Sequence, residues 1–152
     1  MATPNIIWYP MADIIKAYLI EQGVGFDYNI ATEWSIATQA TPLKPLNVIT
    51  ISDEAAEKQY RSIGNGIQEA LVVLIEIRST KQDDGDYKAK EIMEAMDALN
   101  RWTWTGDTSE YNQTVMIATA NRARGIFPLG QDDNKRWIFN LEYSLTIQSI
   151  IE

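Results

Sequence analysis

Large apolar side chains alternate with mostly polar ones over residues 137–147. The apolar positions are the odd ones: Trp137, Phe139, Leu141, Tyr143, Leu145 and Ile147. Successive side chains of a β-strand point to opposite faces of the sheet, so this period of two predicts a long strand with one buried face. One buried and one wetter face is typical of an antiparallel sheet.

Two segments carry the three-to-four-residue period of an amphipathic helix. The first begins after Pro10 and is predicted to end at Gly23, a residue that favours helix C-termini. The second is predicted over residues 86–100. The apolar stripes of the two helices are Met11, Ile14, Ile15, Tyr18 and Leu19, and Ala89, Ile92, Met93, Met96 and Leu99.

Shorter apolar runs predict the remaining strands. They are expected at 26–30, 48–51, 71–77 and 114–121, and the run at 71–77 is apolar on both faces, as in a central strand. Composition predicts loops at 37–46, 54–65 and 125–130, with a helical turn around 55–60.

Helices and strands are therefore expected to be segregated along the chain, with no strict alternation. This order predicts an α+β fold with a mainly antiparallel sheet of four to five strands and two helices packed on it. The length of 152 residues, without a repeat or linker, predicts a single domain over residues 1–152.

The composition excludes several kinds of functional site. The chain has no cysteine and no histidine, which excludes disulfides, thiolate metal sites and the commonest general base. Its formal net charge of −8 argues against a duplex-binding surface. No apolar run is long enough to cross a bilayer, and the first residues do not resemble a secretion signal. We therefore expect no enzyme activity, no cofactor, no metal, no membrane partner, and a site of action in the cytoplasm.

Two clusters of acidic residues are candidates for a metal-binding or catalytic site. Around Asp83, Asp84 and Asp86 the glycine spacing does not fit a calcium loop, so a solvated turn that caps a helix is favoured. Asp132 and Asp133 precede the long final strand, where a hairpin turn is the ordinary explanation.

A small basic group flanks the same glycine-rich segment. Arg122, Arg124, Lys135 and Arg136 could meet phosphate, but pairing with Asp132, Asp133 or a neighbouring subunit is favoured on so acidic a chain. Trp102 and Trp104 are interpreted as core or interface anchors, because basic residues do not alternate with the tryptophans as they do in nucleic-acid platforms.

Residues 128–143 read Pro-Leu-Gly-Gln-Asp-Asp-Asn-Lys-Arg-Trp-Ile-Phe-Asn-Leu-Glu-Tyr, a turn followed by a strand. This segment resembles the C-terminal part of the tail terminator and minor capsid proteins of long-tailed bacteriophages. In that family a Pro-Leu-Gly-x-Asp turn leads into an Arg-x-x-Phe-x-x-x-Tyr strand. Segments 47–53 and 69–78 resemble the early and central strands of the family. The positions that match the motif are Pro128, Leu129, Gly130, Asp132, Arg136, Phe139 and Tyr143.

The resemblance implies a structural virion protein at the head–tail interface, assembled in the host cytoplasm. Such proteins form a ring, commonly a hexamer, that caps the tail tube, ends its polymerisation and joins it to the head connector. DNA would pass the acidic lumen without specific binding. The implied interface residues are Ser52, Asp53, Tyr60, Arg61, Arg78, Trp102, Trp104, Arg122, Arg124, Asp132, Asp133 and Arg136.

Three alternatives stay open at this point. One is another neck, tail-completion or minor capsid protein, which the residues do not separate from a terminator. The second is a non-viral α+β domain that binds a small ligand or regulates a partner. The third is an enzyme that relies on carboxylates, which the missing histidine and cysteine disfavour.

Overall fold

The computed structural model describes residues 11–27, 32–43, 46–53, 58–61, 67–107 and 112–150. The two helices within this part are α1 (Met11–Glu21) and α2 (Gln82–Asp97). The strands are β1 (Phe26–Asp27), β2 (Thr32–Glu33), β3 (Ser35–Thr38), β4 (Val48–Asp53), β5 (Lys58–Arg61), β6 (Ile67–Ser79), β7 (Asn100–Asp107), β8 (Asn112–Gln131) and β9 (Trp137–Ile150).

Seven of these strands form one sheet that curls into a half-barrel. Its order is β3-β4-β6-β9-β8-β7, and β5 pairs with β6 beyond the end of β4. The pair β3–β4 is parallel and every other pair in this sheet is antiparallel. Strands β1 and β2 form a separate antiparallel pair.

The predicted fold class is therefore wrong in the size and type of the sheet. We expected four to five mainly antiparallel strands, and the structure has seven in a mixed sheet. The missed strands lie at the margins. Strands β3, β5 and β7 fall in segments interpreted as loops or left unassigned. Strands β3 and β5 have four residues each and β7 has two large apolar residues, Trp102 and Trp104, which is too few to establish a period of two.

Other boundaries also need correction. The loop expected at 125–130 is the second half of β8, and β5 occupies residues 58–61 of the segment where a helical turn was expected. The second helix begins at Gln82, four residues before the predicted start. Residues 28–30 of the first predicted strand and residues 54–57 and 62–65 of the expected loop lie outside the described residues.

The core lies between one face of the sheet and both helices. The alternating residues of β9 that predicted a strand, from Phe139 to Ile147, are buried on this face together with Val73, Ile75 and Ile77 of β6. The other face, which we call the open face, carries the intervening side chains of β6 and β9, which are half-buried. This two-sided burial is what the alternation in the sequence encodes.

Local signals explain the helix positions. Gly23 adopts a φ of +78° just after α1, where Val24 N–H donates to Leu19 O as in a glycine-terminated helix. Gly85 lets α2 approach β9, because an added Cβ would lie 2.7 Å from the Phe139 ring. Among the described residues, neither helix combines the length and apolarity that a membrane crossing demands.

Candidate assembly interface

The turn between β8 and β9 is organised by one carboxylate. Asp132 Oδ1 accepts hydrogen bonds from the backbone N–H groups of Asn134 and Arg136, both at 2.9 Å. Its Oδ2 accepts from Arg136 Nε at 2.8 Å and from an Arg78 terminal nitrogen at 2.7 Å. Three donors from the turn and one from β6 thus converge on Asp132, which fixes the hairpin turn against the end of β6.

The electrostatics of this cluster favour the charged forms. Burial alone would raise the pKa of Asp132, but the backbone N–H of Arg136 and the guanidinium groups of Arg78 and Arg136 lower it to about 2. Burial opposes the charge on Arg78, yet hydrogen bonds to Glu76 and Asp132 raise its pKa. The carboxylate of Asp132 and the guanidinium of Arg78 are therefore ionised at neutral pH.

A chain segment on the open face is tied to the same cluster. Arg136 is 2% exposed, and its Nη1 donates to the carbonyl oxygen of Pro42 at 3.0 Å. Glu76 accepts from Arg78 Nε at 2.7 Å and from the Thr41 hydroxyl at 3.1 Å. The segment 39–43 is thereby held over β6, next to the hairpin turn.

An open pocket of about 220 Å³ lies between this segment and the turn. Its lining residues are Thr41, Leu43, Arg78, Asp132, Asp133, Asn134 and Arg136. Its volume is below the 300–1,000 Å³ that is usual for small-ligand sites. The guanidinium groups of Arg78 and Arg136 already bind Asp132, so they are not available to bind a ligand in this pocket. The pocket is therefore a charged part of the surface.

This cluster brings together four of the sequence-predicted site residues, Arg78, Asp132, Asp133 and Arg136. The pairing of Arg136 with Asp132, which the sequence analysis favoured, is present in the structure. Burial of Arg136 means that this side chain acts inside the subunit. Asp133 is exposed and lines the pocket, so its carboxylate is accessible from outside.

The two predicted tryptophan anchors lie on the helix-covered face of β7. Trp102 is half-buried, its Nε1 donates to Glu21 Oε2 at 2.9 Å, and its ring meets the Tyr18 ring edge-on at 5.2 Å. Trp104 is half-buried and also packs against the core. Of the two roles considered, core or interface anchor, the structure shows the contacts with the core, and a contact with a neighbouring subunit stays a prediction.

The arginines of β8 lie on opposite faces of the sheet. Arg122 reaches α2, where it donates to Met93 Sδ at 2.8 Å and lies 3.6 Å from the Asp97 carboxylate. Arg124 is exposed, and its guanidinium carbon lies 5.6 Å from the centre of the Phe127 ring. No ion pair of Arg124 is found among the described residues, so its charge faces solvent there.

The remaining predicted residues lie at the opposite edge of the sheet. Ser52 and Asp53 end β4, and exposed Asp53 exchanges two hydrogen bonds with Gln39, at 3.1 and 3.3 Å. Tyr60 and Arg61 lie in β5, which pairs with the first residues of β6. The predicted residues therefore do not form one patch: they divide among the hairpin turn, β7, the second half of β8, and the β4–β5 edge.

Sequence reasoning missed a set of exposed apolar side chains. Leu43, Leu46, Phe127 and Leu129 are 76%, 53%, 47% and 48% exposed. The segments at 37–46 and 125–130 were interpreted as loops from their glycine and proline content, and loop residues were not examined for apolar exposure. Large apolar residues beside Pro42, Pro45 and Pro128 were the available signal.

The chemistry of the described residues is that of contact surfaces. Among these residues, no group of three or more acidic side chains is placed to hold a metal ion. The charged groups at the turn are paired with each other, whereas Asp53, Asp133 and Arg124 point charge outward. Such groups, next to exposed apolar side chains, can contribute to a protein–protein interface.

Comparison with known proteins gives a family match and a structural neighbour. The family model for the bacteriophage tail terminator protein matches residues 40–149. A chain from the virion of a native gene transfer agent particle is 10% identical, with a TM-score of 0.48 over 91% of this chain and 92% of that chain. No curated protein matches.

Proposed function

Since this chain belongs to the bacteriophage tail terminator family, we propose that it caps the tail tube and thereby ends polymerisation of the tube. The family match over residues 40–149 carries the proposal, because it includes β4, β6, α2, β8 and most of β9. A structural role in the phage tail follows from the family. To this structural role we add the proposal that the protein caps the tail tube.

We propose further that copies of the chain close into a ring, most simply a hexamer. A tube built from rings is capped most directly by a ring of matching symmetry, and a ring needs two different surfaces on each subunit. Exposed groups at both edges of the sheet, Arg124 at one and Asp53 at the other, supply two such surfaces. The chain would act as one domain within this ring.

The face of the ring away from the tube would meet the head connector. DNA would cross the ring without specific binding, because a net charge of −8 makes the subunit repel phosphate. Assembly would take place in the host cytoplasm, with the finished protein in the neck of the virion. None of these steps requires bond chemistry or a cofactor.

Electron microscopy of particles made without this protein tests the proposed function. Loss of a terminator should leave tubes of irregular, excessive length and heads without tails, and the purified wild-type protein should restore joining when it is added. Tubes of normal length in its absence would contradict the proposal. Normal tubes that fail only to attach to heads would favour a different neck protein.

A further inference from the structure

The second half of β8 is a free edge of the sheet. Strand β7 pairs with β8 no further than Thr119, whereas β9 pairs with β8 as far as Gln131. Residues 120–131 therefore have a paired neighbour on one side within the described chain. All residues of 121–131 except Ile126 are exposed. A free edge with exposed side chains is a surface that proteins either protect or use.

This edge is built for side-chain docking more than for addition of a further strand. The pairing of β8 with β9 shifts register between Arg122 and Arg124, between Arg124 and Phe127, and between Pro128 and Gly130. Bulges and a proline without an N–H group interrupt the regular ladder that an added strand needs. Phe127 and Leu129 nevertheless project about half of their surface into solvent.

The charge of the edge indicates the nature of its partner. Residues 121–131 contain Arg122, Arg124 and no acidic residue, so the segment carries +2, and the rest of the chain carries −10 because the total is −8. A second copy of this chain therefore offers a surface of opposite charge. Opposite charges steer association and select the partner.

Matching groups lie at the opposite edge of the same sheet. In the register of the sheet, Arg124 of β8 pairs with Glu142 of β9, and Glu142 pairs with Leu74 of β6. Leu74 in turn pairs with Ser52 of β4, the residue before Asp53. Likewise Gly130, the residue after Leu129, pairs with Ile138 of β9, which pairs with Arg78 of β6. Arg78 pairs with Val48, the first residue of β4. Exposed Leu46 lies two residues before Val48. Both edges thus present a charged group and a leucine in the same order along the strand direction.

The acidic end of β4 is accessible from the side. Strand β3 ends at Thr38, which pairs with Ile51, so Ser52 and Asp53 extend beyond β3. Asp53 is exposed at this end of the strand. This end of β4 is therefore an acidic counterpart to Arg124.

We propose that the free edge of β8 in one copy docks head to tail against the opposite edge of the sheet in the next copy, where β3 covers residues 48–51 of β4 and exposed Leu46 and Asp53 lie beyond the two ends of this pairing. Arg124 would meet Asp53, and Leu129 would meet Leu46. The inference rests on the self-association proposed above and adds the surfaces that carry it. Because the two edges differ, each subunit binds two neighbours, which is the geometry that a closed ring requires.

Cysteine cross-linking tests the arrangement directly, because the natural chain contains no cysteine. Ala123 on the β8 edge and Ala40, next to Gln39, are both exposed. The double variant Ala123→Cys/Ala40→Cys, treated with a short thiol cross-linker at high protein concentration, should give covalent species longer than dimers. Each single variant should stop at dimers, and so should the control pair Asp13→Cys/Ala40→Cys, since Asp13 lies exposed on α1.

Charge exchange supplies the second test. Arg124→Glu and Asp53→Arg should each weaken self-association of the full chain about tenfold or more, because each places like charges together, and the double variant should recover most of that loss. Lys90→Glu, which changes an exposed cation on α2, should leave association unchanged. Light scattering over a concentration series measures all four proteins.

The outcomes separate two failures. Suppose that the wild-type chain associates, but the double-cysteine variant gives no species longer than dimers or the charge exchange gives no recovery. The edges assigned to the contact are then wrong, whereas the proposed ring is not contradicted. If the wild-type chain shows no association at any concentration, or on tail tubes, the ring and this inference both fall.

Discussion

The two strands of the β8–β9 hairpin are direct neighbours, yet they lie in different environments. Strand β9 has β6 on one side and β8 on the other, and its odd residues from Phe139 to Ile147 are almost completely buried under α2. The second half of β8 has β9 on one side and exposed side chains along almost its whole length. Regular burial in β9 supports folding, whereas irregular exposure in β8 leaves groups available for a partner.

The largest expected contrast comes from one leucine in each strand. Leu141→Ala removes a completely buried side chain and should lower the free energy of unfolding by about 2–5 kcal/mol. Leu129→Ala removes a side chain that is 48% exposed and should change it by less than about 0.5 kcal/mol. Urea denaturation followed by tryptophan fluorescence measures both, and equal losses would contradict the contrast.

The same contrast explains what could be predicted from sequence. Burial of Phe139, Leu141 and Tyr143 on one face imposes the period of two that identified β9, and a helical period identified α1 and α2. In the second half of β8, every residue of 121–131 except Ile126 is exposed, so no buried face imposes a period of two on its sequence. Composition then suggests a loop at Gly125, Pro128 and Gly130, where the backbone in fact continues as a strand with bulges.

Site residues divide in a similar way. Pairing of Arg136 with Asp132 could be expected because a tight turn brings neighbours in sequence together. The contact of Arg78 with Asp132 joins residues 54 positions apart and depends on the order of strands β6 and β9. No local pattern encodes that order, so sequence reasoning could name Arg78 but not its partner.

The turn between the strands should show the next largest effect. Asp132→Ala leaves the buried guanidinium of Arg136 without the Asp132 carboxylate, whereas Arg78 keeps its ion pair with Glu76. Because Arg78 can still reach water, we expect a loss of about 2–3 kcal/mol in the free energy of unfolding, at or below the usual range for a broken buried pair. Asp133→Ala, an exposed neighbour, is the control and should be close to neutral.

Two glycines sharpen the comparison further. Gly85→Ala should destabilise by about 1 kcal/mol, because the added methyl meets the buried Phe139 ring and Ser79, and this overpacking outweighs the gain in helix propensity. Gly125→Ala on the free edge meets nothing nearer than Arg122, at 3.8 Å, so it should be neutral or slightly stabilising. A shift of the same sign at both sites, in thermal unfolding, would count against the picture.

The last effect depends on pH and appears only in acid. Since the pKa of Asp132 in the folded chain is about 2, below the ordinary value of an aspartate, its ionisation stabilises the fold at neutral pH. That stabilisation should fade as the pH falls from about 4 towards 2, where the carboxylate becomes protonated. The difference in stability between wild type and Asp132→Asn should shrink over this range, and a constant difference would argue against the pairing.

The position of β9 in the sheet has a consequence for how the chain is made. Strand β9 comes last among the strands in sequence, but it lies between β6 and β8. Until residues 137–150 have been synthesised, β3, β4, β5 and β6 have no strand that joins them to β7 and β8. In a prematurely terminated chain, these two groups of strands would lack the strand that joins them into one sheet. Such a chain could not present both edges at the correct spacing, so unfinished products would be excluded from an assembly built on those edges.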